Sequence, residues 1–174
     1  MKLMNKLILF FGFLTIAASS CAQTPKTNSK ADQGIPPYHI LNTDSVYVTP
    51  ANLKKNMAVM VIYFSPDCSH CQHLMYELKP KMDAFKNTQV VMVTFVQQIK
   101  AIQVFARDFD LKKYPNFTVG TEGYTYVVQK YFDVHTTPYI ALYDKNRKLV
   151  KAWDKAPSVD TLVSEVRKCD GVRD

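Results

Sequence analysis

The sequence predicts one α/β domain with a mixed central sheet and helices on both of its faces. Three observations carry that expectation. Residues 58–64 (AVMVIYF) are apolar throughout and rich in Val and Ile, as a strand buried on both sides requires. Directly afterwards Cys71, Leu74, Met75, Leu78, Met82 and Phe85 recur at three- and four-residue spacing, the pattern of one buried helix face. Further on, residues 138–143 and 148–153 flank the turn cluster Asp144-Lys145-Asn146-Arg147, so the chain closes as a β-hairpin before a last helix.

The chain opens with Met1-Lys2, then Lys6, an apolar run from Leu7 to Ala18, and Ser19-Ser20-Cys21-Ala22. A basic start, a short apolar core and small residues make a secretory signal peptide over residues 1–21. The apolar run is shorter than the roughly 20 residues of a membrane span. Ala18-Ser19-Ser20-Cys21 resembles a loose bacterial lipoprotein box, in which Cys21 carries the lipid; ordinary cleavage after Ala22 is the alternative. Residues 22–37 are polar and Pro-, Lys- and Ser-containing, which reads as a flexible tether. The folded domain is then 38–174, a common size for a domain with its own core.

Within it, residues 38–48 read as two short strands around Asn42-Thr43-Asp44-Ser45, and residues 50–55 as a brief helical turn. Pro80 ends or kinks the helix that follows the central strand. Residues 90–96 (VVMVTFV) form a second buried strand, and residues 98–111 an amphipathic helix with Ile99, Ile102, Phe105, Ala106 and Phe109 inward. Residues 114–119 are a weak strand or loop, and residues 124–132 a short helix. Ser158 reads as the N-cap of a closing helix that runs to Cys169. Strand–helix–strand order in the first half implies parallel pairing; the hairpin adds antiparallel strands.

The composition is 47% hydrophobic, in keeping with a substantial core, and the formal charge is +7. Lys and Arg are scattered along the sequence with no aromatic interleaving, which reads as a solvated surface and not as a nucleic-acid site.

The chemistry sits at the junction of strand and helix. Cys68-Ser69-His70-Cys71 follows the turn Ser65-Pro66-Asp67 and opens the helix. The first turn of a helix offers unpaired N–H groups and the positive end of the dipole, so the Cys68 thiol should be lowered in pKa and nucleophilic. Cys71, one turn in, is placed to form a disulfide with it. A structural zinc site would need a second ligand pair, and haem attachment a His at position 72, which is Gln. Cys68 and Cys71 with His70 or His73 holding copper or zinc is the rival reading, and Ser65-Pro66-Asp67-Cys68 also faintly resembles a peroxidatic loop. His39 and His135 read as structural, and Cys169 as a buried, inert thiol.

These residues resemble the thioredoxin superfamily over about 38–169: the strand-to-helix Cys-x-x-Cys, Thr137-Pro138 opening a strand, and the closing hairpin and helix. The N-terminal hairpin and the extra βα segment between Val96 and Asp133 resemble the TlpA/ResA branch of extracytoplasmic thiol–disulfide oxidoreductases. The resemblance implies a thioredoxin fold, Cys68 as attacking and Cys71 as resolving sulfur, and a cis bond at Thr137-Pro138, with both residues docking an extended segment of a cysteine-containing protein substrate. It implies no cofactor, a membrane or periplasmic redox partner, and electron flow in the reductive direction; a disulfide-forming oxidase, an isomerase and a redox-inactive interaction domain are the alternatives. The acids that help deprotonate the buried thiol in this superfamily have no counterpart here, since Ile62 and Leu74 stand in their places. His70 resembles the oxidising branch and Asp67 opposes it, so both are expected to tune Cys68.

Overall fold

The computed structural model describes residues 34–171. The expected leader, the lipidation at Cys21 and most of the tether lie outside the described residues. The tether's last residues, 34–37, belong to the folded part instead: Pro36 is buried, Ile35 packs on the core, and the Tyr131 hydroxyl donates to the Gly34 carbonyl at 2.8 Å.

A seven-stranded mixed sheet organises the domain, in the order β2-β1-β5-β4-β3-β6-β7. The strands are β1 (Ile40–Asn42), β2 (Tyr47–Val48), β3 (Ala58–Tyr63), β4 (Thr88–Thr94), β5 (Phe117–Thr121), β6 (Tyr139–Tyr143) and β7 (Leu149–Trp153). The helices are α1 (Ser69–Leu78), α2 (Ile99–Asp108), α3 (Val127–Phe132) and α4 (Val159–Cys169). β3 runs parallel to β4 and antiparallel to β6, and β4 is parallel to β5. This is the expected α/β architecture.

β3 is apolar throughout because both faces are covered. Met60, Ile62 and Phe64 point into the core made with α1, α2 and α4, whereas Val59, Val61 and Tyr63 point into the core made with α3 and the Tyr38 segment. That alternation is the period of two of a strand. The helices are therefore on both faces but unequally shared. Pro80 acts as expected: α1 stops at Leu78 and continues as a 3₁₀ segment, Lys79–Phe85.

The weak segment at 114–119 is a full strand shifted by a few residues. β5 lies between β4 and β1, and Gly120 permits the approach of β1, since a Cβ there would stand 2.7 Å from the Leu41 carbonyl oxygen. The second buried strand begins at Thr88 instead of Val90 and the second helix ends at Asp108, three residues short of the expected end.

The helical Tyr124 end is also revised: a 3₁₀ turn, Gly123–Thr125, precedes α3. Buried Glu122 caps this helix. Its carboxylate accepts the Val128 N–H at 2.7 Å and the Tyr63 hydroxyl at 2.9 Å, which fastens the inserted segment to the central strand.

Candidate active site

β3 delivers its chain end to the helix through Ser65-Pro66-Asp67. The Cys68 N–H donates to the Ser65 carbonyl at 3.1 Å, and Gln72 Nε2 donates to the Pro66 carbonyl at 2.7 Å, closing the turn against the helix. Cys68 is the N-cap of α1, with extended backbone, and its Sγ accepts the Cys71 N–H at 3.3 Å. A thiol thus does what Ser or Asp does at most helix starts, and the orphan N–H groups of the first turn surround it.

The two thiols sit in opposite environments. Cys71 is 1% exposed and packs among Leu74, Met75 and Phe64, whereas Cys68 is half-buried at the rim. Burial pushes Cys71 up to about 12, helped by its hydrogen bond to Cys68. Partial burial raises Cys68 too, but hydrogen bonding from the side chains of Cys71 and Thr137 and from the N–H groups of Cys71 and His70 outweighs it. The Cys68 thiol lies below its ordinary value. Both cysteines are free thiols.

The chain brings Thr137 to this point from across the sheet. The Thr137-Pro138 bond is cis, and the Thr137 carbonyl lies 3.4 Å from Cys68 Sγ. The pairing Tyr63↔Tyr139 explains the placement: the end of β3 and the start of β6 are neighbours, so the residues just beyond each end meet.

Beside the dithiol opens a groove of about 770 Å³. Leu74, Pro138, Ala156 and Pro157 give it an apolar lining; His70, His73 and Glu77 form one wall along α1, and Asp154 and Lys155 face them. The Thr136 hydroxyl donates to the Asp154 carbonyl at 3.2 Å and ties the two loops together. The contribution of residues 154–158 had no signal in the sequence, because it depends on where the β7–α4 connection crosses.

The two tuning residues are exposed. Asp67 borders a separate cleft between α1 and α2, and the His70 side chain is on the groove wall. Hydrogen bonds from neutral groups, the His70 N–H among them, are what hold the Cys68 thiol down. His73 pairs with Glu77 at 3.3 Å and His135 with Asp133 at 3.5 Å, both at the surface. Cys169 is half-buried against the core at the far end of α4, and burial pushes its thiol up to about 11. Among the described residues, no group of three or more His, Cys, Asp or Glu side chains converges as metal ligands.

Comparison with known proteins supplies the family context. The model of the family described as Thioredoxin matches residues 44–131. No curated protein matches the chain. Among solved structures, a secreted Mycobacterium tuberculosis disulfide oxidoreductase homologous to E. coli DsbE is 16% identical, with a TM-score of 0.64 over 82% of this chain and 99% of that one. Arabidopsis thaliana ScoI with copper bound is 16% identical, with a TM-score of 0.63 over 80% of this chain and 99% of that one. A thiol-disulfide oxidoreductase from Bacteroides fragilis is 14% identical, with a TM-score of 0.62 over 76% of this chain and 98% of that one. At such identities the likeness is one of fold.

Proposed function

The chain belongs to the thioredoxin family, and from that premise we propose that it is a thiol–disulfide oxidoreductase that works on cysteine-containing proteins outside the cytoplasm, in the reductive direction. One observation carries the reading. A lowered, half-exposed thiol at a helix N-cap lies 3.3 Å from the N–H of the residue that bears a buried, strongly raised thiol.

The division of labour follows from those environments. The Cys68 thiolate attacks one sulfur of a substrate disulfide; the substrate S–S bond breaks, a Cys68–substrate disulfide forms, and the departing sulfur takes a proton. Cys71 then loses its proton and attacks Cys68 Sγ. The mixed disulfide breaks and the second substrate thiol leaves reduced, while Cys68–Cys71 becomes the disulfide. Two electrons have moved from the dithiol to the substrate. The substrate backbone would lie along Thr137 as an added strand, with side chains entering the groove over Leu74 and Pro138. Export and a lipid at Cys21 fit the leader read from the sequence, and a membrane or periplasmic partner would re-reduce the pair.

The test is direct. Cys68→Ser should abolish disulfide exchange, and Cys71→Ser should accumulate mixed disulfides at Cys68; full activity in Cys68→Ser removes the reading. The reduction potential gives direction: a value near −270 mV marks a reductase and one near −120 mV an oxidase, with −180 mV in the range of isomerases, all approximate.

A further inference from the structure

We propose that the pole of the domain opposite Cys68 is a docking face for an anionic phospholipid surface. The turns at that pole form one hydrogen-bonded unit. Arg147, in the β6–β7 turn, donates to the carbonyls of Met57 and Lys54 at 3.2 and 2.6 Å, just before β3 begins. Gln89 exchanges hydrogen bonds with the Lys54 backbone at 2.6 and 3.0 Å, near the start of β4. Asn116, just before β5, donates to the carbonyls of Phe85 and Thr88, both at 2.9 Å. Parallel strands put all these starts at the end of the sheet away from the dithiol.

Each turn is basic. Lys54 and Lys55 precede β3, Lys86 precedes β4, Lys112 and Lys113 precede β5, and Lys145 and Lys148 flank Arg147; all seven lysines are exposed. Lys112 and Lys113 pair with Asp44 and Asp110 at the edge of this face. The others make no ion pair among the described residues. The Asp144 carboxylate is occupied by the N–H groups of Asn146 and Lys148 within its own turn, which leaves exposed Asp83 and half-buried Asp170 as the remaining acids nearby. The dithiol pole has a different balance: Asp67, Glu77, Asp133 and Asp154 line its clefts with Lys100, Lys130 and Lys155. Charge is therefore polarised along the strand direction.

The chain also enters the domain at the basic pole. The Gly34 carbonyl is held by Tyr131, and a Cβ on Gly34 would stand 3.9 Å from the Arg147 carbonyl oxygen. The sequence ahead of Gly34 contains the apolar run and Cys21. The dozen or so residues between Cys21 and Gly34 reach at most about 40 Å when fully extended. On the lipid anchor proposed above, a domain suspended on them meets the bilayer with its lysines first, and each lysine near an anionic surface raises partitioning about fivefold. The six residues of β3 hold the two poles roughly 20 Å apart, beyond the Debye length of about 8 Å. Cys68 would then face outward, free for protein substrates.

The experiment maps lysine acetylation on the purified full chain by mass spectrometry, with phosphatidylcholine vesicles and with vesicles that also contain phosphatidylglycerol. Lys54, Lys55, Lys86, Lys145 and Lys148 are expected to be protected several-fold on the anionic vesicles alone, with the protection lost in high salt, while Lys100 and Lys155 react as in solution. Replacing Lys54, Lys55, Lys145 and Lys148 together by Glu should remove the protection of Lys86 and leave the thermal midpoint and disulfide exchange unchanged. Equal protection on both kinds of vesicle, at both poles, or none at all overturns the proposal. Because lysine reactivity is read, the result is independent of the redox assignment.

Discussion

Alkylating the reduced protein at neutral pH should label Cys68 and spare Cys71, and the structure sets the margin. Cys71 is pushed from its ordinary value of 9.0 up to about 12. At pH 7 its thiolate fraction is then about 10⁻⁵, against about 10⁻² for an unshifted thiol, a suppression of roughly a thousandfold before access is considered. Cys68 moves the other way, so the preference between the two exceeds that figure. Burial of Cys71 at 1% exposure adds to it. The assay is a short pulse of iodoacetamide on reduced protein across a pH series, with the two cysteine-containing products resolved by mass spectrometry. Cys68 labelling should level off with rising pH below the ordinary thiol value. Cys71 labelling should climb about tenfold per pH unit throughout, because its thiolate stays a minority. Comparable labelling of the two at neutral pH would refute the assignment of attacking and buried thiols.

Two further substitutions probe the surroundings. Leu74→Glu puts a carboxylate one turn beyond Cys71, at a position 2% exposed on the groove lining. It should cost about 2–4 kcal/mol of stability, read as a denaturant midpoint, yet speed release of the mixed disulfide roughly tenfold by accepting the Cys71 proton; an unchanged release rate in the folded variant counts against proton removal as the slow step. Glu122→Gln converts one acceptor into a donor where Tyr63 and Val128 both donate, and should lower stability by about 1–3 kcal/mol. Its disulfide exchange should stay as in the wild type, since Glu122 and Tyr63 face the side of the sheet away from Cys71; lost exchange without lost stability would contradict that separation.

The dithiol and its supporting elements were legible because their signals are local. A continuous apolar run, a three-and-four repeat and a cysteine at the junction each depend on neighbours within a turn or a strand. The same holds for Ser158, whose Oγ accepts the Thr161 N–H as a helix cap should. β5 was faint because Thr118, Gly120 and Thr121 interrupt its apolar pattern, and its strand character comes from β4 and β1 on either side. His70 and Asp67 are neighbours of the cysteines in sequence; both are exposed at the helix start, and neutral hydrogen-bond donors lower Cys68.

By itself, then, the sequence determined the class of fold, the place of Cys68 at a helix start and the burial of Cys71, all consequences of periodicity and of backbone N–H groups left unpaired in a first turn. Tertiary structure decided what meets what. Strand order brings Thr137 to within 3.4 Å of a sulfur 69 residues away. It also carries the β7–α4 connection across to form a groove wall. Seven lysines far apart in the sequence meet at one pole because the parallel strands β3, β4 and β5 start there and the β6–β7 hairpin turns there. Such juxtapositions follow from long-range pairing, and no window of neighbouring residues contains them.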